Sequence, residues 1–311
     1  MKLKTLTRMQ GNTVALKDGT VRPRGFTFEF EEVPVLVEGF RRMVRDLEFD
    51  VSEMAFSTYL CARAHGVRFT ALPVFPAREL HHGAILYNTK VGIERAKDLE
   101  GRSVGVNRGY TVTTGVWARG ILQDEHGVDL SKVNWLLSGD EHVADYRPPA
   151  NVGRMEAGQN LADLVGSGEL PAAIGLAIDH PDVAALIPDP VEAGFDSLRT
   201  RGLYPINHLM VVRDDVLEPN PGLATALFEA FAEAKEIYLA RLRRGDITDP
   251  TPMDRLYDRV LGITGDPLPY GVEPNRAMIE QLIRHTVTQK ILVTPVTAEE
   301  VFATETLDLV A

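Results

Sequence analysis

Between residues 26 and 75 two kinds of hydrophobic pattern alternate, and that alternation limits the folds open to the chain. FTFEFEEV reads as a strand, PVLVEGFRRMVRDL as an amphipathic helix opened by proline, FDVSEMAF as a strand, STYLCARAHG as a helix and FTALPVF as a further strand. Strands separated by helices of this length pair in parallel and are covered on both faces, so the class is α/β with a mostly parallel sheet. The pattern resumes after AILYN, another extended run: GIERAKDLEG reads as a short helix stopped by Gly101 and SVGVN as a fresh strand that starts a second α/β unit. That unit continues with YTVTTGVWARGILQDEHG as a helix, VNWLLSG as a strand, QNLADLVGSG as a helix and AAIGL as a strand. After HLMVVR nearly everything reads as helix, through PGLATALFEAFAEAKEIYLARLRRG, MDRLYDRVLG, PNRAMIEQLIRHTV and TAEEVFATE. Apolar positions on these late helices serve a subunit interface as readily as a core.

Charge and motif content exclude several functions. With 33 Lys and Arg against 44 Asp and Glu the net charge is −11, which argues against general affinity for nucleic acid; any anion must be met by a few focused cations and backbone N–H groups. No apolar run approaches the roughly 20 residues that cross a bilayer. The first residues, MKLKTLTRMQGNTVALKDG, lack the continuous apolar core of a secretion signal, so the cytoplasm is the expected compartment. The single cysteine, Cys61, sits in YLCARA on an apolar helix face and reads as a buried structural thiol. There is no Walker loop, H-E-x-x-H, CxxC or nucleophile elbow, and VGVNRGYT lacks dinucleotide-binding glycine spacing. The histidines and carboxylates leave a divalent metal open as an alternative, with spacings that are not diagnostic of a site.

In open α/β sheets ligands bind beyond the carboxyl ends of the strands. Four polar groupings hold such positions: Ser52 and Glu53 at the third strand; Arg78, His81 and His82 after TALPVF; Asp140, Glu141 and His142 after VNWLLSG; and His208, which opens HLMVVR. The helix beginning near Tyr110 offers unpaired N–H groups to an anion. Thr113 and Trp117, spaced i, i+4, share a face on which Thr113 lines a site and Trp117 stacks on a planar ligand.

The stretches FDVSEMAFSTYL, LPVFPARELHHGAILYN, DLEGRSVGVNRGYTVTTGVWARGIL and RTRGLYPINHLMVVR together resemble the 4,5-dihydroxyphthalate decarboxylases, a branch of the type II periplasmic-binding-protein fold, over roughly residues 49 to 213 with gaps. VWARGIL and the PARxxxH loop carry most of the likeness, while DLEGRSVGV is shared with many solute-binding proteins. The family's loop reads closer to arginine, any residue, phenylalanine, arginine, histidine; here Leu80 and His81 stand in the third and fourth places, and Arg78 and His82 match.

The resemblance implies two α/β lobes, residues 1–88 with 206–311 and residues 89–205, with a ligand cleft between them. It implies a cofactor-independent decarboxylase of a hydroxylated aromatic diacid. Arg78, with helix N–H groups from Tyr110 to Thr113, would hold a carboxylate of this small anionic substrate. His82 and His208 would share phenol deprotonation and ring protonation, and Glu53 would orient a histidine or act as ring acid. Ser52, Trp117 and Glu141 complete the expected site. Two rival readings remain: a receptor of the same fold that binds a small organic anion unchanged, and a same-fold enzyme acting on another small acid.

Overall fold

The structure, a computed structural model, describes residues 1–311. In chain order its elements are β1 (Lys2–Leu6), α1 (Val14–Lys17), β2 (Thr27–Phe30), α2 (Leu36–Asp46), β3 (Val51–Ala55), α3 (Phe56–Ala64), β4 (Phe69–Arg78), β5 (Ile85–Asn88), β6 (Ser103–Val106), α4 (Thr113–His126), β7 (Asn134–Leu137) and β8 (Val152–Arg154). There follow α5 (Leu161–Ser167), β9 (Ala172–Ile174), β10 (Val183–Ala185), α6 (Pro190–Arg201), β11 (Ile206–Arg213), α7 (Asp214–Leu217), α8 (Leu223–Arg244), α9 (Pro252–Thr264), α10 (Arg276–Thr288) and α11 (Ala298–Val301). No helix is long and apolar enough to cross a membrane.

The chain divides into two compact units, one of Met1–Glu79, Ile206–Glu280 and Val296–Ala311, the other of Leu80–Pro205 and Gln281–Pro295. The second unit begins at Leu80 and not at 89, because β5 hydrogen-bonds to β9 and β10 in the second sheet. Residues 281–295 also belong to it, although the sequence reading assigned everything after 206 to the first lobe.

The first unit holds a five-stranded sheet in the order β2-β1-β3-β11-β4. β1 pairs in parallel with β2 and β3, whereas β11 runs antiparallel to both β3 and β4. Hence the carboxyl ends of β1, β3 and β4 and the amino end of β11 share one edge. Every residue of β3 is buried, as expected for a central strand covered on both faces. β1 went unrecognised in the sequence because its lysines read as a polar terminus, yet KLKTL alternates and its Leu3 and Leu6 are buried. A side chain at Gly39 would collide with Leu6, so glycine lets α2 lie close against β1.

The second unit holds a six-stranded sheet in the order β10-β5-β9-β6-β7-β8, in which β9, β6, β7 and β8 are parallel. Leu161, Val165, Leu170 and Ala173 form a core cluster where α5 covers this sheet. Gly127 ends α4 in the left-handed region at φ 65°, a conformation glycine adopts without steric cost.

Candidate functional site

Sheet register explains how residues 155 positions apart in the chain meet in the first unit. On β11, His208 lies opposite Ala55 of β3 and Met210 lies opposite Glu53. His208 is therefore the diagonal neighbour of Glu53 on one face of the sheet. On the other side of β3, Leu6 pairs with Ser52, which brings Thr7 and Arg8, just past the end of β1, level with Glu53.

The Glu53 carboxylate is fully buried and saturated with donors. Oε1 accepts from His208 Nδ1 at 2.6 Å, and Oε2 accepts from the Thr7 hydroxyl at 2.8 Å and the Arg8 backbone N–H at 2.9 Å. Burial alone would push its pKa up. The His208 hydrogen bond and charge, the Arg8 charge and the Arg8 backbone N–H outweigh it and hold the carboxyl at about 2. Glu53 is thus ionised at neutral pH. Of the two roles expected for it, the depressed pKa and the contact with His208 Nδ1 favour orientation of a histidine over that of ring acid.

The imidazole of His208 is fixed on two sides, by Glu53 and by Phe40 of α2, whose ring meets it edge-on at 5.1 Å between centroids. With Nδ1 donating to a carboxylate, the tautomer is set and Nε2 has no protein partner. Ser52 points to the opposite face and is fully buried, its hydroxyl donating to the Glu53 carbonyl at 2.7 Å; it supports the strand and lines no opening.

Arg78 ends β4 beside Ile206. Its guanidinium is buried, donates to Asn275 Oδ1 and lies over the Phe75 ring at 5.7 Å, while its backbone N–H donates to the Tyr257 hydroxyl at 3.3 Å. The Asn275 amide is itself anchored on the Pro269 and Gly271 carbonyls at 2.9 and 2.8 Å.

In the second unit the expected residues separate into two groups. His82 sits in a 3₁₀ turn spanning His82–Ala84 and turns Nε2 to the Glu125 carboxylate at 3.1 Å. Glu125 also accepts from the Ser197 hydroxyl at 3.0 Å and pairs with Arg201 at 2.9 Å, both on α6. Burial raises the Glu125 pKa, but His82, Ser197 and Arg201 together bring it below the usual range. The other nitrogen, Nδ1, is buried without a partner and faces α6, where a Cβ at Gly194 would stand 3.3 Å away.

The second group lies at the opposite end of α4. Glu141 accepts from the Tyr110 backbone N–H, from the Thr111 backbone N–H at 3.2 Å and from the Thr111 hydroxyl at 2.7 Å. A Cβ at Gly109 would come within 2.6 Å of Glu141 Oε2, so the loop is shaped around this carboxylate. Two of the N–H groups expected to meet a substrate anion, those of Tyr110 and Thr111, are therefore occupied by a side chain that was itself expected to contact substrate. Thr113 is buried in the first turn of α4, and Trp117 is buried with its ring edge-on to His285 at 5.5 Å, a core contact and not a ligand platform. Glu125 and Glu141 mark ends of a helix roughly 20 Å long, so His82 and the Tyr110–Glu141 group form no single constellation.

Arg119, on the same helix, is fully buried, donates to the Tyr110 carbonyl at 2.6 Å and to Gln289 at 2.8 Å, and stacks on the Tyr110 ring at 3.8 Å. It stabilises the loop from beneath. The sequence reading missed Thr7, Arg8, Glu125 and Asn275. Alternation in KLKTL was the available signal for the first two.

No family model matches the chain. Among characterised proteins it is similar to a 4,5-dihydroxyphthalate decarboxylase of Comamonas testosteroni, 32% identical in an alignment of 228 residues that covers 69% of this chain and 69% of that one. It is also similar to a 4,5-dihydroxyphthalate decarboxylase of Pseudomonas putida, 35% identical in an alignment of 176 residues, with 52% of this chain and 68% of that one covered. Among solved structures, the periplasmic aliphatic sulphonate binding protein SsuA of Escherichia coli aligns with TM-score 0.55 and 13% identity over 97% of this chain and 91% of its own. The desulfurization enzyme DSZB aligns with TM-score 0.55 and 16% identity over 97% and 96%. The fold is accordingly periplasmic-binding-protein-like.

Proposed function

Because the chain belongs to the 4,5-dihydroxyphthalate decarboxylase family, we propose that it removes one carboxylate from a hydroxylated aromatic diacid such as 4,5-dihydroxyphthalate, giving protocatechuate, and that His208 supplies the ring proton. The observation that carries the residue assignment is the pairing of His208 Nδ1 with the ionised Glu53, which leaves Nε2 unspent.

Each carboxylate of this substrate stands para to a hydroxyl. Loss of the phenolic proton pushes electron density onto the carbon bearing the carboxylate. That carbon takes a proton from Nε2 of the protonated imidazole. The bond to the carboxylate then breaks, its electron pair restores the aromatic ring, carbon dioxide leaves, and the phenolate and imidazole recover their protons from solvent. Protonation at carbon is the demanding transfer and requires a fixed donor, whereas a phenol exchanges readily with water; a rigid imidazole is best used on the carbon. Glu53, a positioning residue, keeps a compensating negative charge behind the imidazole. Arg78 contributes positive charge at the neighbouring strand end, as the expected anchor of the anion.

The ring supplies its own electron sink through the phenolate, so the reaction is assigned no cofactor. Turnover is expected to be unchanged after exhaustive dialysis against a chelator; loss of activity restored by a divalent cation would reject that assignment. The function itself is tested by incubating the protein with 4,5-dihydroxyphthalate in deuterated water. Carbon dioxide should appear with protocatechuate carrying one ring deuterium. Recovery of bound, unchanged diacid would identify a receptor instead.

His82 takes a supporting role in this reading. His82→Ala is expected to retain turnover within a few-fold of the parent while lowering stability by about 1–3 kcal/mol, because Glu125 loses a buried partner. A loss of turnover as large as that of a His208 variant, in a protein melting normally, would restore His82 to the proton-transfer step.

A further inference from the structure

Arg8 is the one feature beside His208 that the mechanism leaves unused. Its backbone is tied at both ends: the N–H donates to Glu53 at 2.9 Å and the carbonyl accepts from the Thr13 hydroxyl at 2.7 Å. Its guanidinium, by contrast, makes no hydrogen bond and acts on Glu53 only as a charge at a distance. The nearest carboxylate oxygen, Glu53 Oε1, is 4.0 Å away, beyond hydrogen-bonding reach, and that oxygen already accepts from His208. The side chain is 45% exposed. A planar fork of donors thus stands on a rigid backbone next to the imidazole, in the geometry that suits a carboxylate.

We infer that Arg8 grips the carboxylate that stays on the ring, and by doing so selects a vicinal diacid and limits the reaction to one decarboxylation. The inference rests on the proposed decarboxylation. A grip on the departing group would oppose catalysis, since that carboxylate loses its charge on becoming carbon dioxide and the contact would be stronger in the ground state than in the transition state. A grip on the adjacent carboxylate keeps its strength throughout and swings the neighbouring ring carbon toward Nε2. The product makes the point sharper. Protocatechuate still carries a carboxylate para to a hydroxyl, so electronically it is as fit to decarboxylate as the substrate. Once its single carboxylate is held by Arg8, the carbon bearing it is not the carbon offered to His208.

The test separates binding from turnover by using phthalate, a vicinal diacid without hydroxyls that cannot react, against benzoate. The full chain should bind phthalate at least roughly tenfold more tightly than benzoate by calorimetry, the scale of one charge-assisted grip. Arg8→Ala should erase that preference, and Arg8→Lys should recover only part of it. The KM for the dihydroxylated diacid should rise in Arg8→Ala by a similar factor, with kcat falling less. Because Arg8→Ala keeps the backbone N–H to Glu53, its melting temperature should stay close to the parent's. Equal binding of phthalate and benzoate by the parent chain, or an undiminished preference in Arg8→Ala, would overturn the role of Arg8. Failure of the parent chain to release carbon dioxide would overturn the proposed reaction while the phthalate preference still reports on Arg8.

Discussion

His208→Asn is expected to lower kcat for the dihydroxylated diacid by roughly 10²-fold or more, the size of a general acid contribution, with substrate affinity nearly retained. Asparagine keeps a donor toward Glu53 but offers no titratable nitrogen where Nε2 stood. The deuterium experiment adds a second reading of the same step. If imidazolium delivers the ring proton in the slow step, the parent enzyme should show a solvent isotope effect on kcat that the variant alters. Turnover within threefold of the parent would remove His208 from the chemistry, whatever its contacts.

Glu53→Gln probes the group behind the imidazole and should be read in two ways. On activity, the amide no longer fixes the Nδ1–H tautomer or balances an imidazolium, and a loss of roughly 10²- to 10⁴-fold in kcat is expected. On stability, the sign follows from the depressed pKa. The folded-state carboxyl titrates at about 2 against an ordinary value of 4.5, so its contribution is complete above about pH 4.5 and is lost as pH falls from there toward 2. The depression corresponds to roughly 3 kcal/mol. Urea midpoints at pH 7 and pH 3 should therefore draw apart more in the parent than in Glu53→Gln. Parallel shifts in both proteins would show that the carboxylate is not held as its neighbours imply. Glu53→Ala, which strips a buried partner from His208, Thr7 and Arg8, should be worse still in stability, by about 3–5 kcal/mol.

These predictions turn on contacts that the sequence disclosed unevenly. Glu53 and His208 could be selected by type and by their positions at strand ends, yet nothing in either segment says that they touch. That follows from β11 entering the sheet antiparallel between β3 and β4, a long-range register that local periodicity does not encode. Arg78 was legible in the same way, its Asn275 partner was not, since that residue arrives from a turn before α10. The supporting role proposed for His82 rests on neighbours that the sequence did not disclose. PVEAGFDSLRTR was not recognised as a helix, so the Ser197 and Arg201 side chains that complete the Glu125 cluster were out of view. Trp117 was misjudged because its packing partner, His285, comes from a segment assigned to the other lobe.

The loop that closes on Glu141 has one further consequence. A dissolved anion would hold the turn before α4 only in proportion to its concentration, and would let it loosen when the solution ran empty. A carboxylate carried on the same polypeptide is present at a fixed, high local concentration whatever surrounds the protein. That turn is consequently settled once, during folding, and sulfate or phosphate in the medium should neither tighten nor displace it.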